Sequence, residues 1–115
     1  MVVHLVLYRP RRHLESAIRD ALLAAVASAR DEIPQVRRFV VGRRLEGGPA
    51  YQLGSFPDLP FAALIEFADR EGLEAYLAHP AHQALGRLFN ESVEAGLVYD
   101  YDVVDAAAVA SLIDE

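Results

Sequence analysis

The residues best suited to do chemistry lie in Tyr76-Leu-Ala-His-Pro-Ala-His82, where two of the four histidines flank a proline, and at His4 near the start of the chain. Pro80 has no backbone N–H and disfavours the α conformation at His79, so a helix arriving from Leu73 must end near Ala78. Proline suits the first position of a helix, so a second helix can begin at once. His82 then falls in its first turn, beside unpaired N–H groups and the positive end of the dipole, which favours neutral imidazole. Neutral imidazole is a proton acceptor at pH 7. It could remove a proton next to a carbonyl while Tyr76 hydrogen-bonds the carbonyl oxygen. The other ring nitrogen would be oriented by a backbone carbonyl or by His4. Leu77, Leu85, Leu88 and Val93 would line an apolar pocket between helix and sheet. Packing offers a competing account of the same residues: His82 bonds nearby backbone to fix the helix break, His4 is a buried strand histidine, and Tyr76 is core with its hydroxyl satisfied. His79, before the proline, is read as an exposed bystander.

The elements that must hold these residues follow from periodicity. Val2 to Tyr8 is β-branched and aromatic and stops at Arg9-Pro10, a strand. Its Val3, Leu5 and Leu7 face is purely aliphatic, as expected against helices, whereas Val2, His4, Val6 and Tyr8 mix apolar bulk with polar tips. From His13 to about Asp31, Leu14, Ile18, Leu22, Ala25, Val26 and Ala29 recur at helical spacing. Val36 to Arg44 alternates as a second strand, and Phe61 to Phe67 forms a third, with Phe61, Ala63, Ile65 and Phe67 on one face. Residues 45 to 59 are rich in Gly and Pro, and Tyr51, Leu53 and Phe56 could lie down as a lid; a mobile loop is the alternative. Asp69 is placed to cap the next helix. After the break, Leu85, Leu88, Phe89 and Val93 continue a helical stripe that Gly96 is placed to end. Leu97 to Val104 is the fourth strand, and Asp105 to Glu115 reads as a short helical tail.

The order β-α-β-β-α-β is the split βαβ plan, an antiparallel four-stranded sheet with two helices on one face. Both faces of the first strand are apolar, and two helices cover only one side. The face carrying His4, Val6 and Tyr8 is assigned to the uncovered side. A second copy packing sheet to sheet about a two-fold axis would bury it.

Composition narrows the functional classes. The chain of 115 residues is long enough for one domain with a real core, and 53% hydrophobic and 24% charged residues describe a globular protein. Without cysteine there are no disulfides, thiolate metal sites or cysteine nucleophiles. A net charge of −6 argues against nonspecific nucleic-acid binding, although arginines cluster at Arg9 to Arg12, Arg37-Arg38 and Arg43-Arg44. Strand-end arginines of this kind are usually solvated; the alternative is an anionic substrate or partner. Asp100 and Asp102 could pair with arginines across a dimer. His79 and His82, with Glu91 or Glu94, raise the thought of a metal, but Pro80 spoils the alignment and no third ligand has a diagnostic spacing. No metal and no cofactor are expected. No apolar run approaches the ~18 residues that span a bilayer, and no basic region precedes Val2, so the expected location is cytoplasmic.

Taken together, VVHLVLY at the start, IPQVRRFVVGR after the first helix, ALIEF, YLAHPAH and LVYDYD resemble the stress-responsive dimeric α+β barrel (Dabb) family over about residues 2 to 104. The resemblance implies a ferredoxin-like α+β fold, a homodimeric α+β barrel, a Dabb-like domain over residues 1–105 and a tail over 106–115. Among the relatives is a plant polyketide cyclase type, in which a first-strand histidine and the second histidine of the His-Pro-Ala-His motif carry an intramolecular aldol condensation. These positions fall on His4 and His82, and a substrate-positioning tyrosine falls on Tyr76. A further tyrosine on the first helix has no counterpart, because Val26 stands near that place. Three functions follow as expectations: a dimer binding a small hydrophobic or aromatic molecule, a cyclase- or lyase-type enzyme using the histidine pair, and a cofactor-free monooxygenase. A cavity between His4, Tyr76 and His82 is the condition for the last two.

Overall fold

The computed structural model describes residues 1–45 and 57–113. Strand β1 (Val2–Pro10) leads into helix α1 (Ser16–Glu32), strands β2 (Arg38–Arg43) and β3 (Phe61–Phe67), helices α2 (Arg70–Ala78) and α3 (Pro80–Ser92), and strand β4 (Val93–Asp102). A 3₁₀ turn (Ala106–Ala108) and a short helix α4 (Ala110–Ile113) follow, where a helical tail is expected. The sheet order is β2-β3-β1-β4 with every neighbouring pair antiparallel, the ferredoxin-like arrangement. The proposed lid residues Tyr51, Leu53 and Phe56 lie outside the described residues. No helix among the described residues is long and apolar enough to cross a membrane.

Local signals place the elements where their chemistry requires. The Asp69 carboxylate accepts the Gly72 N–H at 2.8 Å, one of the donors a helix start leaves unpaired. α2 stops at Ala78 and α3 starts at Pro80, as the missing proline N–H dictates. α3 ends earlier than the sequence suggests. Ser92 is its last residue and Val93 already belongs to β4, because β4 pairs with β1 along nearly its whole length. Gly96 is therefore a strand residue opposite Tyr8, not a helix stop. A Cβ there would lie 3.3 Å from the Leu7 carbonyl oxygen, so its small size serves the close approach of β1.

Which face the helices cover is the reverse of the expectation. Register puts Val2, His4, Val6 and Tyr8 beside Phe67, Ile65, Ala63 and Phe61 of β3. These residues meet the helices: the core joins Val2, Ala63, Ile65 and Phe67 to Ala29 and Ile33 near the end of α1 and to Leu73 and Tyr76 of α2. Each fully buried member such as Ile33, Ile65 or Phe67 contributes roughly 1.5–3 kcal/mol. The aliphatic set Val3, Leu5 and Leu7 points the other way, beside Leu64 and, across β4, Tyr101, Tyr99 and Leu97. Strand alternation shows which residues share a face; when both faces are apolar it does not show which one the helices take.

Candidate active site

The helix break builds the site. A continuous helix would direct the Ala81 N–H to the Leu77 carbonyl, but here that N–H donates to His79 Nδ1 at 3.0 Å. His79 is thus the half-buried N-cap of α3 rather than an exposed bystander. The Leu77 oxygen is taken instead by His82, whose Nδ1 lies 3.1 Å away. A carbonyl only accepts, so Nδ1 carries the proton and Nε2 keeps its lone pair. Burial lowers the His82 pKa; the bond to Leu77 opposes this, and the neighbouring His4 adds to it. A neutral ring with one nitrogen tied down and the other basic is the result.

His4 reaches the same place from β1. Register sets it directly opposite Asp100 of β4, and its Nδ1–H donates to Asp100 Oδ1 at 2.5 Å. Asp100 therefore has a partner within the chain, through Oδ1. His4, Tyr76 and His82 form a triangle, with ring centroids 5.8 Å apart for His4 and Tyr76, 4.6 Å for Tyr76 and His82, and 6.4 Å for His4 and His82. Burial pushes the Tyr76 hydroxyl up to about 12, so it stays a hydrogen-bond donor at neutral pH.

The triangle opens onto a cavity of about 460 Å³ between the sheet and the helices. Leu77, Leu85 and Val93 line it as expected, together with Val6, Tyr8, Phe39, Val41 and Phe61 from the sheet and Leu22 and Val26 from α1. Leu88 does not. Turned about 100° from Phe89 on the same helix, it lies outside the arc that faces the cavity. Asp100, weighed in the sequence only as a partner for arginines across a dimer, and Ser92 are polar residues that sequence reasoning did not assign to the site. The β1–β4 register, had it been legible, would have found the first; nothing local marks the second. Among the described residues, no three His, Cys, Asp or Glu side chains stand together as a metal site requires.

Three arginines of the clusters are tied into the framework. Arg9 pairs with Glu94 at 2.6 Å and donates to the Asp58 carbonyl, Arg44 pairs with Asp58 at 2.8 Å, and Arg11 donates to the Glu91 carbonyl.

With a ferredoxin-like sheet, a capped helix break and paired histidines in place, the comparison with known families is decisive. The model of the stress-responsive A/B barrel domain matches residues 2–103. This chain belongs to that family, Dabb. Several solved structures share the fold. A Dabb family protein with a ferredoxin-like fold from Mesorhizobium loti is 25% identical, with a TM-score of 0.66 over 90% of this chain and 97% of the other. A dimeric ferredoxin-like protein of unknown function from Jannaschia sp. CCS1 is 26% identical, with a TM-score of 0.68 over 89% and 98%. A hydroxynitrile lyase from Passiflora edulis is 19% identical, with a TM-score of 0.71 over 91% and 94%. No curated protein sequence matches.

Proposed function

We propose that this Dabb protein is a homodimer that binds a small hydrophobic or aromatic carbonyl compound in its helix-side cavity, and that His82 moves a proton there. The observation that carries the proposal is the tethered His82, with Nδ1–H held by Leu77 and a free Nε2 at an apolar cavity of about 460 Å³. In an aldol cyclisation, Nε2 takes a proton from the carbon between two carbonyls. The enolate oxygen accepts a hydrogen bond from Tyr76, and the enolate carbon forms a bond to a second carbonyl carbon of the same molecule. The new alkoxide then takes the proton back from the His82 imidazolium, so the ring closes without net change in protons. His4, oriented by Asp100 through Nδ1–H, leaves Nε2 to accept a hydrogen bond from an enol or hydroxyl O–H of the substrate. Carbon–carbon cleavage beside a hydroxyl uses the same base and the same oxyanion donor, which fits a hydroxynitrile lyase on this fold. Val26 lines the cavity where the plant cyclase type has a tyrosine, so the substrate is held by fewer polar contacts on the α1 side.

Dimerisation follows from the face opposite the helices, where Val40, Leu64, Leu97, Tyr99 and Tyr101 are exposed in the single chain. So much contiguous apolar surface on a sheet is suited to a second copy, and a two-fold axis covers both at once. The Jannaschia relative, described as dimeric, supports this.

The test is incubation with a linear poly-β-ketone. The wild-type protein is expected to yield a cyclised product and His82→Ala to lose it. Unchanged turnover in the variant removes the role given to His82. No cyclisation by the wild type removes the aldol reading.

A further inference from the structure

The cavity has a second polar feature, far from the histidines. Ser92 is 1% exposed and lines the cavity, yet its hydroxyl has no hydrogen-bond partner among the described residues. Its backbone carbonyl is already used, accepting the Arg11 N–H at 2.9 Å, so the unmet group is the side chain alone. A helical serine commonly bonds back to the carbonyl four residues earlier, and this one does not. Buried hydroxyls without a partner are rare because they forfeit their bonds to water. The lining residues Pro10, Phe89 and Val93 have no polar side-chain atom, and Oγ makes no bond to Asn90, the exposed lining residue two positions before it.

We infer that Ser92 anchors the far end of the ligand, so that the molecule bound is elongated and apolar in its middle, with a neutral hydroxyl or carbonyl at the end remote from His82. This rests on the cavity being a binding site. Three observations set the ligand class. First, His82 and Ser92 are ten residues apart on one helix, about 15 Å along its axis. Allowing ~3 Å for a hydrogen bond at each end leaves roughly 9 Å between the two polar groups of the ligand. Second, the wall between them is mostly apolar, with Val6, Leu85 and Phe89 in the lining and the exposed Asn90 its polar member on α3. Third, no arginine, aspartate or glutamate lines the cavity among the described residues, so the far group carries no charge. A serine hydroxyl both donates and accepts, and serves either a hydroxyl or a carbonyl. Tyr8, half-buried with its hydroxyl pKa raised by burial, faces the same cavity and stays a neutral donor.

The test uses two probes of one length, 1-hexanol and 1,6-hexanediol, titrated calorimetrically into the full chain. Ser92→Ala is expected to raise the ratio of diol to alcohol dissociation constants by about tenfold, through weaker diol binding with hexanol binding unchanged or tighter. Ser92→Cys, nearly the same size but a poor hydrogen-bonding group, should move the ratio in the same direction and serves if the alanine variant folds poorly. An unchanged ratio in the folded variant overturns the anchor while leaving the cavity reading intact. Failure of the wild-type protein to bind either probe overturns both.

Discussion

Tyr99 gives the sharpest test of the assembly. It sits opposite Leu5 on the sheet face away from the helices, 47% exposed, with Tyr101 beside it at a ring separation of 6.1 Å. A tyrosine offers about 200 Å² for burial, so roughly 100 Å² of Tyr99 remains for a partner to cover. At ~25 cal/mol per Å² that is about 2.5 kcal/mol per protomer, of which the ring accounts for about 2 kcal/mol. A two-fold axis counts the residue twice. Tyr99→Ala should therefore cost the dimer about 4 kcal/mol and weaken its dissociation constant by roughly a thousandfold. Sedimentation velocity at micromolar concentration should show a wild-type species of twice the chain mass and a variant shifted to the monomer. Tyr99 lies outside the core cluster, so far-UV circular dichroism should be unchanged. A wild-type monomer, or a variant that dimerises as well as wild type, would refute the reasoning.

Three further outcomes follow from the site and the helix break. The His82 pKa is lowered from 6.5 in the folded chain, chiefly by burial, so the unfolded chain binds the proton more readily. Stability from this group is therefore complete above pH 6.5 and is lost as pH falls through the folded value; His4 and Tyr76 are the groups that face it. An NMR titration should place the His82 midpoint below 6.5, and the loss of stability in acid should shrink in His82→Gln; a midpoint above 6.5 contradicts the geometry. Asp100→Asn offers His4 Nδ1 an amide donor and moves the ring proton to Nε2, so turnover should drop by roughly tenfold or more. Asp100 is 43% exposed, so the same change should alter unfolding free energy by less than about 1 kcal/mol. Asp69→Ala removes the α2 cap and should cost about 1 kcal/mol in denaturant unfolding, with turnover measured at low temperature unaffected.

Much of this protein is written in short stretches of chain. The β-α-β-β-α-β order, the bounds of β3, the Asp69 cap and the break between Ala78 and Pro80 depend on alternation, capping chemistry and a missing N–H, all of which act within a few residues. The gathering of His4, Tyr76 and His82 was implied by the family resemblance, since alternation alone left the His4 face assigned to the side away from the helices. Other features depend on tertiary structure. His4 and Asp100 are 96 residues apart, and only the β1–β4 register makes them opposite. The choice of sheet face was decided by docking, since both faces of β1 are apolar and nothing local prefers one. Leu88 and Phe89 are equally apolar in sequence, yet the rotation of α3 against the sheet puts one in the cavity wall and leaves the other out. Ser92 is an ordinary residue at a helix end until burial removes its water and gives its hydroxyl no partner. Local chemistry determined the elements and the helix break that presents His82; the choice of sheet face, register and helix rotation, set by the packing of the whole domain, brought His4 beside it and decided what surrounds them.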